Sequence, residues 1–261
     1  MKNNLIRRAL IILNNNGLIT LIRKTFRFIK IKFFYKLIFL IKIILFPLSF
    51  IFIKYKKFRD IPQILDFCYS LNGLLIRPMQ IRKEINDLLN ILEKESLENI
   101  LEIGTANGGT LFLFSKISSK HSKIISIDLP NGEFGGGYKK WRMGLYNSFT
   151  SYDQSVYLLR RDSHSEETLG EVKKILENQK LDILLIDGDH SYEGVKTDFK
   201  MYGPLVKKNG YIIFHDIVPG PSDSVGGVQD FWQIIKNNYE FKEIVNDWNQ
   251  NGYGIGLLKF N

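Results

Sequence analysis

The strongest constraint in this sequence is a short apolar run that breaks into glycines and resumes as a helix. Asn99–Ile103 (NILEI) reads as a strand, Gly104-Thr105-Ala106-Asn107-Gly108-Gly109-Thr110 as a turn, and residues 111–117 as a helix. Strand, glycine turn and helix make the opening unit of a doubly wound sheet. The motif recurs. Lys123–Ile127 (KIISI), Ser155–Leu159 (SVYLL), Leu181–Ile186 (LDILLI) and residues 211–214 (YIIF) are further apolar runs, separated by stretches long enough for crossover helices. Unbroken apolar runs mark strands buried on both faces, as in a parallel sheet. Ahead of the first strand, Ile81, Ile85, Leu88, Leu89 and Leu92 share one face of a helix expected within residues 80–97. The helix after Ile186 is expected to reach about Lys208, interrupted at Gly203-Pro204.

In such sheets ligands bind beyond the carboxyl ends of the strands, and there the polar residues are concentrated. The first turn is spaced G-x-x-x-G-G, with Ala106 where a dinucleotide fingerprint has its second glycine. Glu102 precedes it, and a carboxylate there disfavours a diphosphate and favours S-adenosylmethionine over a nicotinamide cofactor. Asp128 ends the second strand, placed for two ribose hydroxyls or for a helix cap. Asp162 and Ser163 follow the third strand, where they border an adenine or cap a helix. Asp187 and Asp216 follow the fourth and fifth strands, which brings two carboxylates together for a divalent ion such as Mg²⁺. His190 shares the Asp187 loop and is placed to act as a general base. Two glycine-bearing loops, 131–142 and 218–229, are expected as lids, with Tyr138 and Trp141 offering stacking surface.

Charge divides the chain. It carries 36 Lys+Arg and 27 Asp+Glu, for a net charge of +9. Residues 1–59 hold 14 of the basic groups and no acid, so the remainder is net −5. That balance, with no motif for nucleic-acid chemistry, argues against a phosphate-backbone partner. Residues 37–53 (LIFLIKIILFPLSFIFI) carry one charge, Lys42, and one proline, Pro47, and have basic flanks on both sides. They are close to the lower length limit of a spanning helix, about 17 residues. Residues 17–36 interleave Leu18, Leu21, Ile22, Phe26 and Ile29 with Arg23, Lys24, Arg27 and Lys30, a basic amphipathic pattern. The expectation is a helical leader, residues 1–60, on an anionic membrane surface at the cytoplasmic face, peripheral, re-entrant or spanning once. A packing or dimerisation arm, and with it a homo-oligomer, is the alternative. Cys68 is the lone cysteine, which excludes an internal disulfide.

Taken together, LEIGTANGG (101–109), IISIDLP (124–130), RDSHS (161–165), LLIDGDHSYEGVKTDF (184–199) and GYIIFHDI (210–217) resemble a class I S-adenosylmethionine-dependent methyltransferase. More narrowly, the blocks are similar to the methyltransferase-24 group, and more distantly to macrolide sugar O-methyltransferases and cephalosporin-hydroxylase-like proteins. The resemblance covers roughly residues 80–260. It implies an α/β Rossmann-like sheet of seven strands, the last two, 241–245 and 254–259, forming an antiparallel hairpin. It implies cofactor contacts from Glu102, Gly104, Thr105, Ala106, Gly108, Gly109, Asp128, Leu129, Asp162, Ser163 and Asp187. It also implies a metal at Asp187 and Asp216, and His190 as base. The metal-dependent relatives carry a glutamate where this chain has His215. His215 is therefore a candidate ligand or second base, and metal use stays open.

The expected reaction is methyl transfer to the hydroxyl of a small molecule, a sugar or a lipid-linked glycan. A metal-dependent oxygenase on the same fold and a non-catalytic cofactor-fold binding protein are the alternatives.

Overall fold

The computed structural model describes residues 40, 50–71, 73–130, 137–151 and 153–261. The chain divides into two compact units, 1–48 and 49–261. The amphipathic stretch 17–36, and most of the apolar run 37–53, lie outside the described residues. Among the described residues no helix is long and apolar enough to cross a membrane.

The second unit begins ahead of the expected boundary at residue 61. Ile53 is buried. The Phe58 ring meets Phe67 at 5.4 Å and Phe112 at 6.0 Å between centroids. Helix α1, Ile61–Tyr69, starts where Asp60 accepts the Gln63 N–H and Pro62 fills the first turn. Helix α2, Arg82–Leu92, buries Ile85, Leu88, Leu89 and Leu92, the face read from the sequence.

The described strands form one seven-stranded sheet in the order β3-β2-β1-β4-β5-β7-β6. Strands β1 (Asn99–Ile103), β2 (Lys123–Ile127), β3 (Ser155–Leu159), β4 (Leu181–Ile186) and β5 (Val206–His215) run parallel. Strand β7 (Ile255–Lys259) enters antiparallel between β5 and β6 (Glu240–Ile244). Every residue of β1 and β4 is buried, as inner strands of a parallel sheet require, and the polar Asn99, Glu102 and Asp182 among them have hydrogen-bond partners. Helices α3 (Gly109–Ile117), α4 (Met143–Asn147), α5 (Glu166–Leu176), α6 (Tyr192–Tyr202) and α7 (Val228–Ile235) complete the unit. At one end of the core, Phe214 packs among Phe199, Phe231 and Trp232.

The region after β4 differs from the sequence reading. Helix α6 stops at Tyr202, and β5 begins at Val206 instead of Tyr211. Pro204 has no N–H to continue the helix and sits in a single 3₁₀ turn, Gly203–Leu205. Val206 already pairs with Leu181, and the register slips before Ile183 meets Tyr211. The exposed Lys207-Lys208-Asn209 stretch is thus an irregularity within a strand, with Asn209 at φ +63°.

The two expected lids also differ. Tyr138 is buried and packs edge-on against Tyr146, 4.8 Å between centroids, so it offers no open stacking surface. Trp141 is exposed, with the Arg142 guanidinium 5.0 Å from its ring. Residues 131–136 lie outside the described residues. In the second loop Val218 and Val225 are buried, and the Gly227 N–H donates to the His190 carbonyl at 2.7 Å. This loop is anchored against the His190 turn.

Candidate active site

The carboxyl ends of β1 to β5 surround a cleft of about 740 Å³. On the β1 side the backbone must turn sharply beside β4. Gly104 has φ +91°, and a Cβ there would lie 1.9 Å from the Asp187 carbonyl oxygen, so no larger residue fits. Its neighbours bond to the next strand: Asp128 Oδ2 accepts the N–H groups of Thr105 at 3.1 Å and Ala106 at 2.7 Å. Burial raises the Asp128 carboxyl above its ordinary value, and these backbone donors oppose that shift.

Of the residues expected at the cofactor, Gly104, Ala106, Asp128, Leu129, Asp162, Ser163 and Asp187 line the cleft. Glu102, Thr105, Gly108 and Gly109 do not. Glu102 is fully buried under the turn, where it accepts the Thr105 hydroxyl at 2.8 Å and the Thr110 hydroxyl. Burial pushes its carboxyl up to about 8, against the two hydroxyls. It ties the two ends of the turn together from below. Gly108 and Gly109 face Tyr146 and Pro78.

The β3 wall carries a residue that the sequence reading left without a role. Ser165 caps α5, and Asp162 Oδ1 accepts the His164 N–H at 2.9 Å. His164 also lines the cleft, and its Nε2 lies 3.4 Å from Asp198, a fully buried carboxylate on α6. Asp198 raises the His164 imidazole to about 9. The spacing of His164 and Asp198, one after β3 and one inside α6, gives no local signal of that pairing.

The β4 and β5 ends bring the remaining expected residues together. His190 Nε2 lies 3.3 Å from Asp187 Oδ1, and its Nδ1 lies 3.5 Å from Asp216 Oδ2. His190 Nδ1 is also 2.6 Å from the Ser224 carbonyl. His215 Nδ1 sits 3.1 Å from Asp187 Oδ1 and 3.4 Å from Asp216 Oδ2. Asp216 has φ +63°, and its Oδ1 accepts the Tyr253 N–H at 2.9 Å. Burial alone would raise the Asp187 carboxyl, but His215 and His190 hold it below the usual range. Burial lowers the two imidazoles less than the carboxylates raise them: His190 reaches about 9, and His215 lies well above its ordinary value.

Ligand atoms of Asp187, His190 and Asp216 all lie within 4.8 Å of one another. Two carboxylates and an imidazole suit a divalent ion. The sequence reading had His215 as the third donor. The structure gathers His190 there, and His215 pairs with both carboxylates. Gln80 was not foreseen. It precedes α2, far from any motif, yet its Nε2 donates to Asp187 Oδ2 at 3.0 Å.

Residues 101–217 match the model of a family described as a methyltransferase domain. The matched segment runs from β1 to β5 and contains the glycine turn, Asp187, His190, His215 and Asp216, but not Gln80. An uncharacterized protein of Acanthamoeba polyphaga mimivirus is 35% identical over 132 residues, which is 51% of this chain and 57% of that protein. A protein of Sinorhizobium fredii is 25% identical over 120 residues, 45% of this chain and 13% of its own. The chain thus spans little more than half the length of the first relative and a small part of the second.

Two solved structures share the fold. The O-methyltransferase TomG of Streptomyces achromogenes, in complex with SAM, superposes with a TM-score of 0.51 at 12% identity, covering 79% of this chain and 92% of its own. An O-methyltransferase of Bacillus cereus, in complex with SAH, gives 0.51 at 14%, covering 82% and 97%. The likeness of fold therefore extends well beyond the matched segment, over 79% and 82% of the chain.

Proposed function

We propose that the protein transfers the methyl group of S-adenosylmethionine to the hydroxyl of a small-molecule acceptor. The observation that carries this reading is the shared cleft. Asp128 and the glycine turn line one side, and Asp187, His190 and Asp216 line the other. A cofactor with its ribose at Asp128 thus has an acidic and imidazole-bearing cluster in the same cavity. The C–S bond breaks with its electron pair left on sulfur, the O–C bond forms, and the hydroxyl proton leaves. The chain must align donor and acceptor and take up that proton.

In the free protein His190 is held as a cation by Asp187, so it is not poised as a neutral base at neutral pH. The donor set of Asp187, His190 and Asp216 fits a divalent cation. Asp187, His190 and Asp216 would hold such a cation, which would supply Lewis acidity toward an acceptor hydroxyl. His215 stays against the two carboxylates and balances their charge. Two carboxylates with one imidazole reverse the two-histidine, one-carboxylate set of oxygen-activating iron, which favours methyl transfer over an oxygenase.

The exposed side chains of Ile51, Phe52 and Tyr55, next to Lys54, Lys56 and Lys57, support the membrane-surface role proposed for residues 1–60. Sugar or lipid-linked hydroxyls are the acceptors that this placement favours.

Titration calorimetry of the full chain with S-adenosylmethionine and S-adenosylhomocysteine tests the central reading; absence of binding to both refutes it. Co-sedimentation with vesicles of anionic phospholipid tests the second: no more pelleting than with neutral vesicles refutes it.

A further inference from the structure

We infer that Gln80, which lies before the matched domain in sequence, is the positioning residue that orients Asp187 for a divalent cation. The inference rests on the cofactor-cleft reading above. It begins with how firmly the segment carrying Gln80 is held. Arg142 Nη1 donates to the Leu75 carbonyl at 2.8 Å. The backbone of Pro78 lies directly on Gly109, where a Cβ would come within 2.5 Å of Pro78 Cα. The Tyr69 hydroxyl donates to the Gln80 carbonyl at 2.7 Å. Three separate elements thus fix the backbone on either side of a single side chain. Gly109 lacks a side chain at the place where this strap crosses the start of α3.

Gln80 is 7% exposed, and its side chain reaches one oxygen of Asp187. The two oxygens of that carboxylate have different partners. Oδ2 takes the neutral amide N–H of Gln80, and Oδ1 takes the imidazoles of His215 and His190. The Asp187 main chain is fixed as well, since its N–H donates to the Ile103 carbonyl at 2.9 Å. A neutral donor sets the plane of the carboxylate without neutralising it, as outer partners of metal ligands do.

A filler role does not account for the rest of the side chain. Gln80 Oε1 is buried with no hydrogen-bond partner. A methionine or leucine would fill the same space without leaving a buried acceptor unpaired. What only the amide supplies is the N–H on Asp187.

The test is calorimetry of the full-length chain and its Gln80→Met variant, with Mn²⁺ and with S-adenosylhomocysteine separately. Methionine keeps the length and volume and removes the donor. The expected result is that both proteins bind S-adenosylhomocysteine alike while the variant binds Mn²⁺ about 10- to 100-fold more weakly. Equal Mn²⁺ affinity in the two proteins overturns the inference and leaves the proposed function standing. Equal weakening of both ligands overturns it too, since that is a general structural effect. Binding of S-adenosylhomocysteine but not Mn²⁺ by the unaltered chain overturns the inference alone. Failure of the unaltered chain to bind S-adenosylhomocysteine brings down the proposed function, and the inference with it. If thermal melting shows that Gln80→Met does not fold, Gln80→Asn, which withdraws the amide from Asp187, replaces it with the same criteria.

Discussion

Replacing Glu102 with glutamine should make the protein more stable, and increasingly so as the pH rises. Glu102 is fully buried, and burial raises its carboxyl from 4.5 to about 8. Each pH unit across that interval is worth about 1.4 kcal/mol, so ionising Glu102 in the folded chain costs on the order of 5 kcal/mol. Between pH 4.5 and about 8 the unfolded chain has lost this proton and the folded chain retains it. The folded state therefore binds more protons, and stability falls as the pH rises through the window, then levels off above it. Glutamine has no proton to lose. Its carbonyl accepts one threonine hydroxyl, and its amide donates to the other once that hydroxyl turns. The advantage of Glu102→Gln should grow from near zero at pH 5 to a few kcal/mol at pH 9. Urea unfolding of both proteins at pH 5, 7 and 9 measures it. A difference that does not change with pH, or a variant that is the less stable protein at pH 9, would refute the reasoning.

Asp128→Ala should weaken S-adenosylhomocysteine binding by at least about tenfold, because it removes a charged acceptor at the cleft and releases the Thr105 and Ala106 N–H groups; unchanged affinity by calorimetry would count against the ribose role. Gly104→Ala should destabilise the fold by more than about 2 kcal/mol, since its methyl would overlap the Asp187 carbonyl at a φ of +91°; an unaltered urea midpoint would contradict the close approach. The His164–Asp198 pair should stabilise the protein fully below pH 6.5 and lose that contribution as the pH rises through about 9, because the folded imidazole has the raised value. His164→Gln should remove that part of the pH dependence, and melting curves at pH 6 and pH 9.5 compare the two proteins.

Strands β1 to β4 were legible because NILEI, KIISI, SVYLL and LDILLI are short, mostly apolar runs rich in Ile, Leu and Val, although β1 and β4 are fully buried while β3 is only half-buried along most of its length. The start of β5 was not, because Lys207-Lys208-Asn209 bulges out of the sheet and looks like a connection. Polar residues at strand ends could be placed by topology alone, which is how Asp128, Asp187, His190, His215 and Asp216 were foreseen at one cleft. Which side chain turns inward at a tight bend was beyond that logic: Glu102 and Thr105 lie under the turn they were expected to line. Gln80 and the His164–Asp198 pair depend on contacts between distant segments, Gln80 with Asp187 and His164 with Asp198, that no local pattern records.

The place of β7 in the sheet bears on how the chain is made. It is the last of the described strands, yet it lies inside the sheet between β5 and β6. During synthesis β5 leaves the ribosome with one edge unpaired, and that edge includes Ile212, Ile213 and Phe214, which are fully buried in the finished protein. Until residues 255–259 emerge, that edge lacks the strand that pairs with it in the native sheet. A chain stopped short of Ile255 would present this apolar edge, and a β6 with no neighbour, to other molecules. Premature termination near the end of the message should therefore produce aggregates instead of a slightly shortened protein.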